Sequence, residues 1–240
     1  MRPRSVPEVV AVNLLAIDTA TEACMIGLQA GERRFAHTER AGRAQTERIL
    51  PMIDALSETA GIALRELDAI VMGRGPGAFT GLRVTAGVVQ GLAFALDLPV
   101  VPLSSLRILA QTAARRHGAE RVIAAFDARM DEVYWCACEY RDGIMVTVGE
   151  ERLTPPEQVG QDLDGAWFGV GPAWAAYAGR MGARLSMADE GLMPQGEDAL
   201  ELGARALAAG EVVPPERAIP VYLRNQVAWK KSPPPASFGP

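Results

Sequence analysis

The chain has 240 residues, 49% hydrophobic and 22% charged, enough for one large domain or two small ones with a substantial core. Its 24 Lys and Arg against 29 Asp and Glu give a net charge of -5, which excludes a basic protein that grips nucleic acid unaided through its phosphates. The two histidines, His37 and His117, and three cysteines, Cys24, Cys136 and Cys138, are too few to expect a zinc site built by this chain alone.

Residues 1–11 carry charge but no apolar core of signal-peptide length, and read as a loose extension. Leu14–Asp18 is a short apolar strand ending in an aspartate. Cys24–Ala30 and Arg33–Thr38 follow across the Gly31-Glu32 turn sequence, making a three-stranded meander. A helix is predicted from Thr46, with the stripe Ile49, Ile53, Leu56 and Ala60 and a stop at Gly61. Leu67–Met72 reads as a strand, Gly73–Gly77 as a tight glycine turn and Phe79–Leu96 as a long helix. Leu98–Leu103 reads as a strand, and Ser104 as the cap of a helix running to His117.

The plan then repeats. Arg121–Asp127 is again an apolar strand ending in an aspartate, and Glu132–Tyr140 and Ile144–Val148 complete a second meander around Asp142-Gly143. Cys136 and Cys138, two apart in that meander, read as reduced, packed thiols. Thr154-Pro-Pro-Glu157 has the pattern of a capping box opening a helix. Ala166–Val170 reads as a strand, Gly169-Val-Gly-Pro172 echoes the earlier glycine turn, and helices are expected over Ala173–Met181 and Glu197–Ala209, the latter stopped by Gly210. The fold class expected is therefore α/β: a duplicated ribonuclease H-like (actin-like ATPase) fold, two mixed-sheet lobes with flanking helices. The expected division is a first lobe over 12–103, a second lobe with a C-terminal segment over 104–231, and a disordered Pro-rich tail over 232–240. In such folds a ligand sits between the halves, with each Asp-tipped strand facing it; that is analogy and does not establish activity.

Asp18 and Asp127 are the clearest candidates for chemistry. A strand-end carboxylate at a cleft could hold magnesium through water. The simpler and preferred reading is that both accept hydrogen bonds from nearby turn amides. Gly73-Arg-Gly-Pro-Gly-Ala-Phe-Thr-Gly-Leu-Arg83 is the most distinctive stretch. It is neither a Walker A loop nor a dinucleotide fingerprint, and its glycines serve either an anion or only a tight turn. Asp18, Thr19, Gly75, Gly77, Arg83 and Asp127 are thus the candidate anion- or nucleotide-proximal residues. No catalytic residue and no metal ligand is assigned. His37 and His117 read as structural or solvated, and Ser57, Ser104 and Ser105 have no evident base.

The long helix carries one charged residue, Arg83, between Phe79 and Leu96. A helix apolar all round must be covered all round, and a sheet covers one side. Gly87, Gly91 and Ala95 recur at spacing four, and Gly81, Gly87 and Gly91 each cost ~1 kcal/mol relative to Ala in a helix interior. The chain's own first helix is one candidate cover. The other, preferred here, is a second subunit, docked on a face built from Ile49, Leu50, Ile53, Val84, Gly87, Val88, Gly91 and Ala95, with Met52 beside it. The purely apolar helical run, Val84–Leu96, is about 13 residues against the ~20 of a membrane span, so a soluble cytoplasmic protein without membrane contact is expected.

Leu15-Ala-Ile-Asp-Thr-Ala-Thr-Glu-Ala-Cys24, Arg48-Ile-Leu-Pro51, the glycine-rich stretch, Gln90-Gly-Leu-Ala93, Asp127-Ala-Arg-Met130 with Glu132-Val-Tyr-Trp135, and Val221-Tyr-Leu-Arg-Asn225 with Val227-Ala-Trp-Lys-Lys231 closely resemble the TsaB (YeaZ) family, collinearly from Leu14 to Lys231. The resemblance implies a bacterial scaffold and activator in tRNA N6-threonylcarbamoyladenosine synthesis. It would be an inactive paralogue of the catalytic subunit TsaD, pairing with it through first-lobe helices and joined by the ATPase TsaE. Self-association through the same face is also implied, with tRNA contacted through the complex. No cofactor is expected on this chain alone; ATP or ADP and metal belong to the partners. Two positions depart from the family pattern. Gln45 stands where a His is frequent, and Asp131 stands where Gly is usual, at a turn a non-Gly residue would strain. The alternatives are an actin-fold small-molecule kinase or ATPase, a glycoprotease-like peptidase, and direct tRNA binding through Arg33, Arg34, Arg40, Arg43 and Arg48.

Overall fold

The computed structural model describes residues 11–224, so the expectations for the first ten residues and for the 232–240 tail lie outside the described residues. Two five-stranded mixed sheets form the frame. In the first, β1 (Leu14–Asp18) lies between β2 (Ala23–Ala30), antiparallel, and β4 (Ala69–Gly73), parallel; β3 (Arg33–Arg40) and β5 (Val100–Leu103) are the edges. In the second, β6 (Arg121–Asp127) holds the place of β1, between antiparallel β7 (Val133–Arg141) and parallel β9 (Trp167–Val170), with β8 (Ile144–Thr154) and β10 (Leu185–Asp189) outside. The orders β3-β2-β1-β4-β5 and β8-β7-β6-β9-β10 are the same topology. This is the duplicated ribonuclease H-like plan that the sequence predicts.

The helices cover the two sheets unequally. α1 (Gln45–Ala60) and α2 (Phe79–Leu96) pack side by side on one face of the first sheet. α5 (Gly196–Ala208) returns to cover its other face, with Leu200 and Leu202 against Leu14, Val71 and Val101. α3 (Ser105–His117) sits on the second sheet, its first turn closed by the Ser104 hydroxyl accepting the Arg107 N–H at 3.1 Å. The remaining face of that sheet has the four-residue α4 (Ala173–Ala176) and a cluster containing Trp135, Trp167 and Trp174.

Three local expectations are corrected. Thr154 is the last residue of β8, and Pro156–Gln158 forms only one 3-10 turn, because Gly160 at φ 66° ends the run before an α-helix has room. The helix predicted to reach Met181 stops at Ala176. Leu185–Asp189 is a strand the sequence reading missed: Ser186, Met187 and Ala188 are exposed on a sheet edge, and the register slips between Leu185 and Met187, so no alternation is visible.

Candidate functional site

The two aspartates fall where the duplication puts them. Asp18 Oδ1 accepts the Ala20 N–H at 2.7 Å, and Asp127 Oδ1 accepts the Arg129 N–H at 2.7 Å. The turn-amide reading is therefore the observed one. Their surroundings differ. Asp18 is only 3% exposed, and its Oδ2 has no hydrogen-bond partner among the described residues. Burial pushes its carboxyl up from the ordinary value, opposed by the nearby Ser105 hydroxyl and the Ala20 amide. Asp127 lines the cleft between the halves, pairs with Arg129 at 2.9 Å and accepts the Tyr177 hydroxyl at 2.8 Å. The expectation that both strand tips face the cleft is thus corrected: one does, the other is sealed beneath it.

The cleft has a volume of about 1070 Å3 and a mainly apolar wall that includes Phe79, Phe126, Tyr134, Leu192 and Tyr222. Gly77 lines it, but Gly75 and Thr19 do not. Thr19 is fully buried: its hydroxyl donates to the Gly81 carbonyl at 2.8 Å, and its N–H donates to the Thr85 hydroxyl at 2.9 Å. These bonds pin α2 to the end of β1. Arg83 stands exposed over the Phe79 ring at 3.9 Å. In the glycine loop, Arg74 donates its amide to Leu103 O, Gly75 to the Ser105 hydroxyl and Ala78 to Ala20 O, so these three amides are committed within the chain. The Arg74 guanidinium reaches Glu151 of β8 at 2.9 Å and ties the loop to the second sheet.

Other chemically capable groups are also engaged. His37 Nε2 lies 3.2 Å from Glu39, and His117 Nε2 lies 2.9 Å from Asp189 with its ring stacked on Phe168. Glu39 also receives two hydrogen bonds from Arg48, which with His37 hold its carboxyl down at about 2. The three cysteines are free and buried. Cys136 and Cys138 lie 3.6 Å apart, and burial lifts Cys24 to about 11, far from a nucleophilic thiolate. Among the described residues no group of three His, Cys, Asp or Glu has metal-binding geometry.

The docking face expected from sequence is partly redrawn. Ile49 and Ile53 are each 1% exposed, and Met52 is 5% exposed; all three lie inside, against the first sheet. They belong to the core because the stripe that marks α1 as a helix is the stripe that the sheet buries. Leu50 is exposed on the outer side of α1. On α2, Leu82, Thr85, Val89 and Ala93 face inward. Gly87, Gly91 and Ala95 are exposed, Val84 and Val88 are half-buried, and Phe94 is 82% exposed. The chain covers part of this helix itself, through Gln90 Nε2 donating to Ala218 O at 3.0 Å and the turn at Pro215–Arg217. The three helix glycines separate cleanly. A Cβ at Gly81 would fall on the Thr19 carbonyl oxygen, so the monomer requires that glycine. A Cβ at Gly87 or Gly91 would meet nothing within 4 Å among the described residues, so their packing requires neither. Among the described residues α2 alone is long and apolar enough to cross a membrane, five residues longer than the run read from sequence; here it is a sheet-packed helix pinned through Thr85.

The sequence reading missed a structural role for Gln45. It is buried, and its amide nitrogen donates to Thr21 O at 2.7 Å and Ala23 O at 3.0 Å, clamping the β1–β2 connection. Asp131 adopts φ 58°, following Arg129 and Met130 at 61° and 58°: three left-handed residues in a row, held by Arg180 at 3.0 Å on Asp131.

Two matched halves with a shared cleft, and paired Asp-tipped strands beside it, place the chain among the duplicated ribonuclease H-like, actin-like proteins. A family model described as TsaD, tRNA N6-adenosine threonylcarbamoyltransferase, matches residues 36–164, just over half of the chain. The tRNA threonylcarbamoyladenosine biosynthesis protein TsaB of Escherichia coli is 44% identical over 229 residues, 92% of this chain and 99% of that protein. TsaB of Haemophilus influenzae is 42% identical over 233 residues, 92% and 98% of the two chains. The solved structure of YeaZ from Pseudomonas aeruginosa superposes with a TM-score of 0.85 at 51% identity, covering 88% of this chain and 100% of that one. The chain belongs to the TsaB (YeaZ) family.

Proposed function

We propose that the chain is a non-catalytic scaffold and activator in bacterial tRNA N6-threonylcarbamoyladenosine synthesis, working in the cytoplasm by pairing with the catalytic subunit TsaD and with TsaE. The observation that carries this reading is the outer face of α2. Gly87 and Gly91 destabilise the helix by ~1 kcal/mol each, and none of the described residues occupies the space they leave. A partner helix that approaches this face closely supplies the missing contact. Leu50, Val84, Val88 and Ala95 supply apolar area around the glycines. The relatives named TsaB supply the pathway, and the family model named TsaD supplies a partner of related fold. Aspartates and glycine-loop amides spent on internal hydrogen bonds fit a subunit that leaves ATP, metal and the transfer reaction to its partners.

The test is reconstitution of tRNA modification from TsaD, TsaE and the adenylate-forming enzyme, with and without this chain. The reading requires a large fall in rate on omission; an unchanged rate overturns it. Val88→Asp should abolish both co-sedimentation with TsaD and the activation. An ATPase or kinase reading is separated by calorimetry: tight ATP–magnesium binding by the isolated chain, lost in Asp127→Ala, would favour it.

A further inference from the structure

The face around Gly87 and Gly91 has a charge pattern of its own. α1 lies beside α2, and its inward side is the apolar stripe Ile49, Met52, Ile53 and Ala60. Half a turn away lie Glu47, Pro51, Asp54 and Glu58, spaced 4, 3 and 4, which is the outward side. All four are exposed, and the three carboxylates form no ion pair among the described residues. The one cation of α1, Arg48, sits on the flank and donates two hydrogen bonds, of 2.6 and 3.1 Å, to Glu39 of β3. This ridge is unfavourable in the isolated chain. Asp54 and Glu58 stand four apart, where like charges repel on a helix surface. Glu58 also lies in the last turn, at the negative end of the helix dipole, and no basic residue accompanies it there. On the other side of the glycines, the groove along Gly87 and Gly91 is walled by the exposed Glu216, with Arg217 next to it in the same turn. The one cation of α2, Arg83, sits near its N-terminal end over the Phe79 ring. The outer ridge of α1 thus carries three negative charges and no positive one.

We infer that the surface docking on α2 belongs to a different protein, one that sets arginine or lysine side chains opposite Glu47, Asp54 and Glu58. This rests on the reading of α2 as a docking face, and it adds what selects the occupant. The small residues of α2 admit any helix that packs closely, so they do not discriminate. The ridge does. A second copy of this chain brings the same three carboxylates to the contact, and like charge there opposes association. A partner with cations opposite the ridge relieves the repulsion between Asp54 and Glu58, and its charge steers the approach. The glycine track supplies the close fit, and the acidic ridge decides between pairing with another protein and pairing with itself.

The experiment measures two associations of the full chain by sedimentation at low and at high salt: with TsaD, the partner that reading assigns, and with itself. Pairing with TsaD should weaken as salt is added, and self-association should strengthen, because screening removes attraction from the first and repulsion from the second. The triple variant Glu47→Gln, Asp54→Asn, Glu58→Gln keeps the side-chain shapes at exposed positions and removes the charge. An unchanged or higher melting temperature shows that it folds. At low salt it should bind TsaD roughly tenfold more weakly, the sum expected of three exposed ion pairs, and self-associate more tightly. At high salt the difference from the native chain should close. Unchanged low-salt affinity of this variant for TsaD overturns the inference, as do salt dependences of the same sign for the two associations. Val88→Asp keeps the two readings apart. If it abolishes pairing while the charge variant pairs as the native chain does, α2 docks a partner and the ridge does not select it. If Val88→Asp leaves pairing intact, the docking face is wrong and the inference falls with it.

Discussion

Asp18 and Asp127 accept the same hydrogen bond, each 2.7 Å from the amide two residues onward, yet one carboxylate is sealed and the other opens on the cleft. The duplication preserved the turn and separated the environments. The difference is measurable.

Burial raises the pKa of Asp18 above its ordinary 3.8, so the native state keeps a proton that the unfolded chain releases. The stability carried by the protonated form is fully present below that ordinary value and is lost as pH rises through the native one. Asp18→Asn should therefore raise the melting temperature at neutral pH, with the gain closing as pH falls toward the ordinary carboxylate range. Thermal unfolding across pH measures this. A variant less stable at neutral pH would show that the buried charge is compensated.

Tyr177 is pushed up to about 12, first by burial and then by its hydrogen bond to Asp127. Asp127→Asn removes the negative charge beside the phenol, so tyrosinate absorbance in an alkaline titration should appear at lower pH. An unmoved titration would place the cause in burial alone.

Gly91 separates monomer stability from association. Gly91→Ala should stabilise the isolated chain by up to ~1 kcal/mol, because the added methyl meets open space. Gly91→Leu should leave the monomer folded and abolish pairing in sedimentation. A destabilised Gly91→Ala monomer would give the glycine an internal role instead.

Gln45 clamps two carbonyls of the β1–β2 connection. Gln45→Ala leaves those buried acceptors unpaired and should cost about 2 kcal/mol in denaturant unfolding. An effect within ~0.5 kcal/mol would show that water replaces the amide.

Asp131→Gly relieves one left-handed residue and gives up a surface ion pair with Arg180, 46% exposed on the Arg side. The expected result is a gain of up to ~1 kcal/mol in urea unfolding, largest at high salt, where the lost ion pair matters least. A loss of stability would mean that Arg180 anchors the turn.

Much of this was legible in the chain because local chemistry decided it. Two strand-ending aspartates and two glycine turns announced the duplication, and a helix with one charge announced an uncovered face. Other features depended on contacts between distant residues. The stripe Ile49–Ile53 identifies a helix but not which neighbour receives it, and the sheet took it. Gln45 reads as a missing histidine until its three-residue neighbourhood of carbonyls is seen. β10 has no alternation to read because three successive residues, Ser186, Met187 and Ala188, are exposed and its register slips. The surroundings of Asp18 are set by Gly73 of β4, which packs against its carboxyl, and by Ser105, 87 positions away in the chain and following β5, which pairs with β4.

The unequal clothing of the two sheets bears on valence. The first sheet has a pair of long helices on its outer face; the matching face of the second has four helical residues and a tryptophan cluster. A chain that adheres through α2 has one sticky side and no second copy of it, despite being built from a repeat. Pairing through α2 uses up that side, so this contact joins two chains and no more, and cannot propagate head to tail into a filament.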